Sequence, residues 1–225
     1  NSIDQWKFFF ELNKIDVIIQ NAAVVNTEVV GMNLERATRT NDEGTYKICM
    51  AAQKCDIPVC YMGTTVIYDA FKYQNEKITE SSSYGPHTLY GCQKLAAEYI
   101  VKSHAPKWMI IRPLFAYGGE GDMNSLIAKS IYACLADKQV EMRLDPLKFK
   151  DYMYVSDYAN AVLTGITQHL WNDEWNIAAE TPLETWEIIE TIEKVLHLDM
   201  SDTIVWKPTS DYTGNHRIDS SKFRN

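Results

Sequence analysis

Short, uninterrupted apolar runs alternate with amphipathic segments in this chain, and that alternation constrains the fold more than any other feature. The runs occupy residues 17–19, 59–62 and 108–111. The intervening segments at 41–55 and 89–103, and the segment at 4–12 before the first run, repeat apolar side chains at helical spacing. Strands without polar alternation, separated by such helices, are typical of a parallel sheet covered on both faces. We therefore predict an α/β fold with a doubly wound parallel sheet.

The second half of the chain has a looser pattern. Helical periodicity recurs at residues 125–135, 157–169 and 185–196, and short extended pieces occur at 150–155 and 204–207. No linker rich in Pro, Gly or Ser divides the sequence. We predict that residues 1–117 form the sheet-bearing core and that residues 118–225 mainly form a smaller lobe, with segments that return to the core.

Composition excludes several function classes. Asp and Glu number 30 against 22 Lys and Arg, a net charge of −8 that would repel the phosphate backbone of a nucleic acid. No apolar run reaches the roughly 18 residues that a membrane span needs. The five cysteines are odd in number and include no CxxC pair, which favours reduced thiols over a disulfide framework or a metal site. We expect a cytoplasmic protein with a small-molecule substrate, no nucleic-acid or membrane partner and no metal.

A tyrosine and a lysine four residues apart open one of the amphipathic segments, as Tyr90-Gly-Cys-Gln-Lys94. On a helix this spacing places both side chains on one face, so the ammonium can lie beside the phenol. A nearby positive charge lowers the pKa of a tyrosine from about 10 toward working pH, which acid–base catalysis requires. The pair therefore predicts a tyrosine that transfers protons.

Two other tyrosine–lysine pairs share this spacing. Tyr68/Lys72 directly follows a predicted strand, and Tyr73/Lys77 lies in a polar stretch that is typical of a solvated loop. Neither opens an amphipathic helix. We therefore interpret both as chance pairs and Tyr90 as the functional tyrosine.

Two threonines, Thr64 and Thr65, come directly after the apolar run at 59–62. Ligands of open α/β sheets bind at the carboxyl ends of the strands, where a hydroxyl can reach a substrate. A turn or a helix cap would use the same residue types in the same place. The residues alone leave both interpretations open.

Eight segments together resemble the extended short-chain dehydrogenase/reductase family, in its nucleotide-sugar epimerase/dehydratase branch. They follow the order and spacing of that family over nearly the whole chain. The segments are D-V-I-I-Q-N-A-A at 16–23, N-D-E-G-T at 41–45, T-T-V-I-Y at 64–68, the Tyr90/Lys94 pair, R-P-L-F-A-Y-G at 112–118, D-Y-M-Y-V-S-D at 151–157, W-N-I at 175–177 and D-S-S-K at 219–222. The resemblance implies a Rossmann-like sheet, NAD or NADP as cofactor, and a substrate lobe toward the C-terminus.

The resemblance also implies roles for individual residues. Tyr90 would be the acid–base residue, Lys94 would lower its pKa and hold the nicotinamide ribose, and Thr64 would hydrogen-bond the reacting oxygen. Further residues would line the cofactor, namely Asn21, Ala22, Ala23, Asn41, Pro113 and Leu114. Asn21 is equally well explained as a turn residue after a strand. The family often dimerises through the two helices expected at 41–55 and 89–103, which predicts a homodimer.

The chain departs from the family pattern in three places. The glycine-rich turn that holds the cofactor pyrophosphate is absent, and the resemblance places it in about 50–60 residues upstream. Dehydratases of the family have Asp-Glu where this chain has Thr65 and Val66, which argues against a sugar 4,6-dehydratase. Phe115 replaces an asparagine that many relatives direct at the nucleotide sugar.

Cations at Lys150 and Arg217 stand where relatives hold a substrate diphosphate, although surface charges would look the same. We expect Thr65, Phe115, Lys150 and Arg217 to contact substrate. The predicted function is that of an NAD(P)-dependent epimerase or ketoreductase acting on a nucleotide-linked sugar. A reductase of another carbonyl compound, or a non-catalytic binding module that keeps the fold, remain alternatives.

Overall fold

The computed structural model describes residues 1–25, 27–74, 76–119, 125–136, 138–199, 201–207 and 217–225. Its helices are α1 (Ile3–Asn13), α2 (Thr27–Met32), α3 (Leu34–Thr38), α4 (Gly44–Cys55), α5 (Leu89–His104), α6 (Leu126–Leu135), α7 (Val155–Thr167), α8 (Thr185–Leu196) and α9 (Ser221–Arg224). Its strands are β1 (Ile18–Gln20), β2 (Val59–Met62), β3 (Trp108–Pro113), β4 (Phe115–Tyr117), β5 (Val140–Met142), β6 (Phe149–Lys150), β7 (Tyr152–Tyr154), β8 (Asp173–Ile177), β9 (Leu183–Glu184) and β10 (Ile204–Trp206). Among the described residues, no helix is long and apolar enough to cross a membrane.

A parallel sheet in the order β1-β2-β3-β8 forms the centre of the fold. Side chains along β2 and β3 alternate between its two faces. On one face, Tyr61 and Ile110 pack with residues of α4 and α5. On the other, Met109 and Ile111 pack against α7. Helices on both faces confirm the predicted doubly wound sheet.

A second apolar cluster lies outside the sheet. Leu126 of α6 and Met142 of β5 pack there with Ile188 and Ile192 of α8 and with Ile204 of β10. We expect this cluster to be the core of the predicted C-terminal lobe. Strand β8 belongs to the central sheet, and α7 packs against that sheet, so residues after 117 also contribute to the core. The division of the chain at residue 117 stays a prediction.

The helix predicted at 41–55 differs from the observed one. Regular α-helix begins at Gly44 and is preceded by a π-helical turn, Arg39–Glu43, which continues from α3. Such a turn widens the backbone by one residue and is frequent at functional sites. Here it places Asn41 in the interior rather than at a helix cap.

The extended segment predicted at 150–155 is also divided in the structure. Lys150 ends β6, which pairs with β9, whereas β7 pairs with β4 and Val155 already begins α7. The helix therefore starts two residues before its predicted first residue. Sequence periodicity could not place this boundary, because the pairing partners of both short strands lie far away along the chain.

Gly63 lies where α5 and β3 come closest to the end of β2. Its backbone amide donates to the Ile111 carbonyl at 2.7 Å. A Cβ at this position would lie 2.6 Å from Oε1 of Glu98 and 3.2 Å from Cγ of Arg112. The absence of a side chain therefore allows the helix to approach the sheet this closely.

We predict that Gly63→Ala lowers the free energy of unfolding by about 1–3 kcal/mol, because the new methyl group overpacks a buried contact. Gly31→Ala is the matched control, since a Cβ there has nothing within 4 Å and alanine favours the helix. Urea denaturation of both variants measures the difference. Equal stability of the two variants would contradict the close approach.

Candidate active site

Several of the residues predicted to act on cofactor and substrate lie along one edge of the central sheet. The strands β1, β2 and β3 are parallel and in register, so their carboxyl ends meet at that edge. Asn21, Ala22 and Ala23 follow β1, Thr64 follows β2, and Pro113 ends β3. Asn21 and Ala22 are exposed, and Pro113 and Leu114 are half-buried.

Helix α5 begins beside this edge and carries Tyr90 in its first turn. The side chain of Thr88 caps the helix by accepting from the Gly91 amide at 3.0 Å. A Cβ on Gly91 would lie 3.0 Å from the Val66 carbonyl, so the start of the helix rests against the 3₁₀ turn Thr65–Ile67. This contact brings the Tyr90 hydroxyl close to the side chain of Thr64.

The electrostatic environment of Tyr90 differs from the sequence-based expectation. Burial raises the pKa of Tyr90 to about 12, and the nearby side chain of Thr64 opposes that rise. The predicted lowering of this pKa by Lys94 is absent from the structure. The physical reason is that a buried phenolate loses its hydration, while the Lys94 ammonium binds elsewhere.

Lys94 is buried, with 4% of its surface exposed. Its Nζ donates to the Met62 carbonyl at 2.5 Å and lies 4.2 Å from the centre of the Tyr61 ring. Burial lowers the pKa of Lys94 to about 8, and the carboxylate of Glu98 opposes this change. With this pKa, Lys94 carries a positive charge at neutral pH and becomes a neutral amine at moderately alkaline pH.

A fully buried arginine, Arg112, organises the interior behind the site. Its Nε and Nη2 bind the carboxylate of Glu98 at 3.1 and 2.7 Å. Its Nη1 donates to the hydroxyl of Tyr68 at 2.6 Å, and Nη2 also reaches the hydroxyl of Tyr84 at 3.0 Å. Tyr68 in turn donates to Oδ1 of Asn176 at 2.9 Å. The network joins α5, β3, β8 and the segment after β2.

Asn41 occupies a different place from the predicted one. Its side chain accepts from the Val24 amide at 2.8 Å and donates to the Val24 carbonyl and to Oε1 of Gln93, both at 3.0 Å. With 1% of its surface exposed, it has no face free for a cofactor. Its observed contacts instead link the loop after β1 to α5.

Thr65 likewise lies away from its predicted contact. The residue has no exposed surface, and its Oγ1 has no hydrogen-bond partner among the described residues. A substrate in the cleft cannot reach this hydroxyl in the observed arrangement. Thr64, in contrast, is 7% exposed and caps the 3₁₀ turn by accepting from the Val66 amide at 3.4 Å.

The remaining predicted substrate residues lie around β6. Lys150 is buried, with its Nζ 5.3 Å from the centre of the Phe115 ring, and it lines a cleft of about 270 Å³ with Tyr117 and Tyr152. Arg217 stacks on Phe149, the neighbour of Lys150, at 4.3 Å. The buried Nε of Arg217 has no hydrogen-bond partner among the described residues.

A further cleft of about 350 Å³ lies on the α7 side of the sheet edge. Asn21 and Met62 line it from the strand ends, and Tyr158 and Val162 line it from α7. The hydroxyl of Tyr158 accepts from the Leu114 amide at 3.0 Å. This contact fixes the loop after β3 beside the cleft.

Four residues that shape this site were not predicted from the sequence to do so: Gln93, Glu98, Arg112 and Asn176. A sequence signal existed for two of them. Arg112 interrupts an apolar strand, and Glu98 lies on the apolar face of an amphipathic helix one turn after Lys94. Charges in such places indicate a buried partner, but sequence spacing could not identify which one.

Comparison with known proteins supports the same fold and family. The sequence profile of the NAD dependent epimerase/dehydratase family matches residues 1–178. The dTDP-D-glucose 4,6-dehydratase of Mus musculus is 23% identical over 195 residues, which cover 84% of this chain and 54% of the mouse protein. The chain thus spans about half the length of this curated relative.

Two solved structures illustrate the similarity of the folds. The dTDP-glucose 4,6-dehydratase from Bacillus anthracis in complex with NAD gives a TM-score of 0.87 at 19% identity, over 100% of this chain and 71% of that one. The UDP-glucose 4-epimerase from Thermotoga maritima with UDP-glucose gives a TM-score of 0.85 at 19% identity, over 99% of this chain and 75% of that one.

The Arg112 network predicts different effects for two tyrosine variants. We expect Tyr68→Phe to lower the free energy of unfolding by about 1–3 kcal/mol, because it leaves buried groups of Arg112 and Asn176 unpaired. Tyr73→Phe should have little effect, because the Tyr73 hydroxyl contacts Ser83 in an exposed loop. Urea denaturation tests both variants, and a greater loss for Tyr73→Phe would refute the assignment.

Proposed function

The chain belongs to the NAD dependent epimerase/dehydratase family, and we propose that it performs Tyr90-assisted hydride transfer on a nucleotide-linked sugar, as an NAD(P)-dependent epimerase or ketoreductase. The observation that carries this proposal is the closeness of the Tyr90 phenol to the Thr64 side chain, which opposes the rise of the Tyr90 pKa, at the carboxyl edge of the sheet and one helical turn from buried Lys94. These side chains join a proton donor, a hydroxyl and a cation at one place.

The names of the relatives support the class of substrate. The mouse relative is a dTDP-glucose dehydratase, and the structure from Thermotoga maritima is an epimerase with UDP-glucose. Both act on sugars carried by a nucleoside diphosphate. Since the chain covers 54% of the mouse protein, the activity of the whole protein is part of the proposal.

The edge of the sheet fits a nicotinamide cofactor in several respects. Small side chains at Ala22 and Ala23 leave room for a ring, and the cleft beside Asn21 and Met62 is open. Asn21, Ala22, Ala23, Pro113 and Leu114 would line the cofactor, and the Lys94 ammonium would bind its ribose hydroxyls. The bound nicotinamide would supply the group that accepts or returns a hydride.

Tyr90 and Thr64 would transfer and orient the proton that accompanies the hydride. With its pKa raised to about 12 by burial, Tyr90 holds its proton at neutral pH and is suited to donate it to the oxygen of a carbonyl being reduced. In the reverse direction it takes the proton of a substrate hydroxyl. Thr64 hydrogen-bonds the same oxygen and orients it toward the phenol.

The residues after Thr64 favour epimerase or ketoreductase chemistry over dehydration. A 4,6-elimination needs groups that transfer protons besides the tyrosine, and the resemblance implies that dehydratases of the family have Asp-Glu at these two positions. Here Thr65 is inaccessible and Val66 cannot transfer a proton. The chain therefore lacks the groups for elimination at these positions.

The diphosphate of the substrate would lie near β6. Lys150 lines the cleft there, and Arg217 presents a buried Nε–H that has no partner among the described residues. Phe115, beside Lys150, would pack against the substrate in place of the asparagine of many relatives. The aromatic rings of Tyr117 and Tyr152 make the wall of this cleft largely apolar.

We also retain a homodimer and a cytoplasmic setting as proposals. The outward faces of α4 and α5 expose aromatic side chains, with Tyr46 38% and Tyr99 57% exposed, and two such helix pairs could pack against each other. The cysteines are free thiols. Burial raises the pKa of Cys49 and Cys60 to about 12, so these two stay unreactive thiols.

Substitution of Tyr90 tests the proposed function. In the full natural protein, Tyr90→Phe should lower kcat on a nucleotide sugar by roughly 10²- to 10⁴-fold with cofactor affinity nearly unchanged, because the proton donor is lost and the ring is kept. Thr64→Val should lower kcat and leave cofactor affinity nearly unchanged, whereas Lys94→Ala should lower both kcat and cofactor affinity. Steady-state kinetics and nicotinamide fluorescence measure these effects.

Tyr73→Phe is the matched control for this series and should turn over substrate at the wild-type rate. Wild-type turnover by Tyr90→Phe would refute the assignment of the site. Cofactor binding without turnover of any sugar or carbonyl compound would favour the non-catalytic binding module.

Substitution of Lys150 tests the substrate class. We expect Lys150→Ala to raise KM for a nucleotide sugar more than it lowers kcat, because a phosphate contact remote from the reacting carbon contributes equally to ground-state and transition-state binding. Lys148→Ala, two residues earlier, is the control. Equal turnover of a sugar that lacks the nucleotide would instead support a reductase of non-nucleotide carbonyl compounds.

A further inference from the structure

We propose that Glu98 is a positioning residue that holds Lys94 as an ammonium ion at the sheet edge, with Arg112 fixing the Glu98 carboxylate in place. The catalytic consequence rests on the proposed function of Lys94. The positioning itself concerns contacts within this chain and can be tested without cofactor or substrate.

Lys94 and Glu98 contact the same short stretch of backbone. They are one turn apart on α5, and both are almost fully buried, with 4% and 1% of their surface exposed. The ammonium of Lys94 binds the Met62 carbonyl. The next residue is Gly63, at which a Cβ would lie 2.6 Å from Oε1 of Glu98. A buried cation and a buried anion thus flank the Met62–Gly63 peptide.

Arg112 determines where the carboxylate of Glu98 lies. Three contacts join the two side chains: Nε to Oε1 at 3.1 Å, Nε to Oε2 at 3.3 Å and Nη2 to Oε2 at 2.7 Å. Burial raises the pKa of Glu98, and these contacts with the guanidinium oppose that rise. A two-pronged pair of this kind has one preferred geometry, so the carboxylate is fixed beside Gly63, one turn along α5 from Lys94.

Other charged and titratable groups face this region from every neighbouring element. Glu174 of β8 lies 3.6 Å from Nη2 of Arg112 and pairs with Lys102 at 3.0 Å. The remaining groups are Tyr61 of β2, Cys49 of α4, Asp42 of the π-helical turn, Tyr68 and Tyr84 around Arg112, and Tyr90 of α5. The carboxylate of Glu98 raises the pKa of Lys94, whereas burial lowers it to about 8.

The consequence of this arrangement is that Lys94 keeps its positive charge at neutral pH, one helical turn from Tyr90 on α5. Without the carboxylate, burial alone would act on Lys94 and favour the neutral amine. A neutral Lys94 would bind the ribose hydroxyls of the cofactor less well. Glu98 would therefore act on the chemistry through Lys94, without touching substrate or cofactor.

A double-mutant cycle between Glu98→Gln and Lys94→Met tests the proposal in the full natural protein. Urea unfolding of the four proteins at pH 6.5 and 9.5 gives the coupling between the two positions at each pH. We expect a favourable coupling at pH 6.5, equivalent to about a tenfold change in the proton affinity of Lys94. The coupling should be lost at pH 9.5, where Lys94 is neutral in the folded protein.

A purely structural role would give a coupling that does not change with pH. That result, or no coupling at pH 6.5, would overturn the proposal. Glu174→Gln is the matched control, because this carboxylate also approaches Nη2 of Arg112, at 3.6 Å, but is not among the groups that shift the pKa of Lys94; its coupling to Lys94→Met should be near zero at both pH values.

Removal of Glu98 alone leaves Arg112 buried without its carboxylate and risks misfolding. The cycle is therefore repeated with Glu98→Gln and Arg112→Gln made together as one change, which removes both charges. The same pH-dependent coupling is expected, since Glu98 is the partner that raises the pKa of Lys94. A pH-independent coupling in this second cycle would equally overturn the proposal.

The pH dependence of cofactor binding adds a functional readout. For Glu98→Gln, the loss of NAD(H) or NADP(H) affinity on the alkaline side should begin about one pH unit lower than for the wild type. Glu98→Asp, which keeps the charge, should restore the wild-type midpoint. An unshifted midpoint in Glu98→Gln would contradict the positioning role. If the wild-type protein binds neither NAD(H) nor NADP(H), the proposed function is contradicted. The unfolding cycle then decides the positioning role by itself.

Discussion

The ion pair of Arg112 with Glu98 is the interaction on which the rest of the structure depends. Two charges lie in the interior with almost no exposed surface, and each would be costly to bury without the other. Their pairing joins β3 to α5, and the hydroxyls of Tyr68 and Tyr84 accept from two further N–H groups of the guanidinium. Because α5 is held against the sheet in this way, the residues in its first two turns reach the sheet edge in a defined orientation.

The close approach of α5 also explains the pattern of small residues around the site. Gly63 leaves space for the Glu98 carboxylate, and Gly91 lets the helix start rest on the 3₁₀ turn after Thr64. Asn41 and Gln93 add a second attachment, between α5 and the loop after β1. The candidate site is therefore an arrangement of three strand ends and one helix, in which buried hydrogen bonds fix the spacing.

The acid–base properties of the site follow from burial more than from pairing. Burial raises the pKa of Tyr90 and lowers the pKa of Lys94, so both groups favour their neutral forms relative to water. Such opposing shifts are typical of functional sites. The hydroxyl of Thr64 and the carboxylate of Glu98 counteract these shifts. In the proposed function, the balance between burial and these two partners determines where each proton resides.

The local chemistry of the sequence predicted the doubly wound sheet, and the family resemblance was also needed to place Tyr90, Lys94 and Thr64 together near one edge of it. Apolar runs and helical spacing are properties of neighbouring residues, and parallel strands must bring their carboxyl ends together. Tertiary structure alone decided that Lys94 binds the Met62 carbonyl, that Asn41 and Thr65 are buried, and that Arg112 pairs with Glu98. Each of these outcomes depends on which groups share a desolvated space after the chain has packed, and side chains far apart in sequence compete for the same partners there. Spacing along the chain carries no information about that competition.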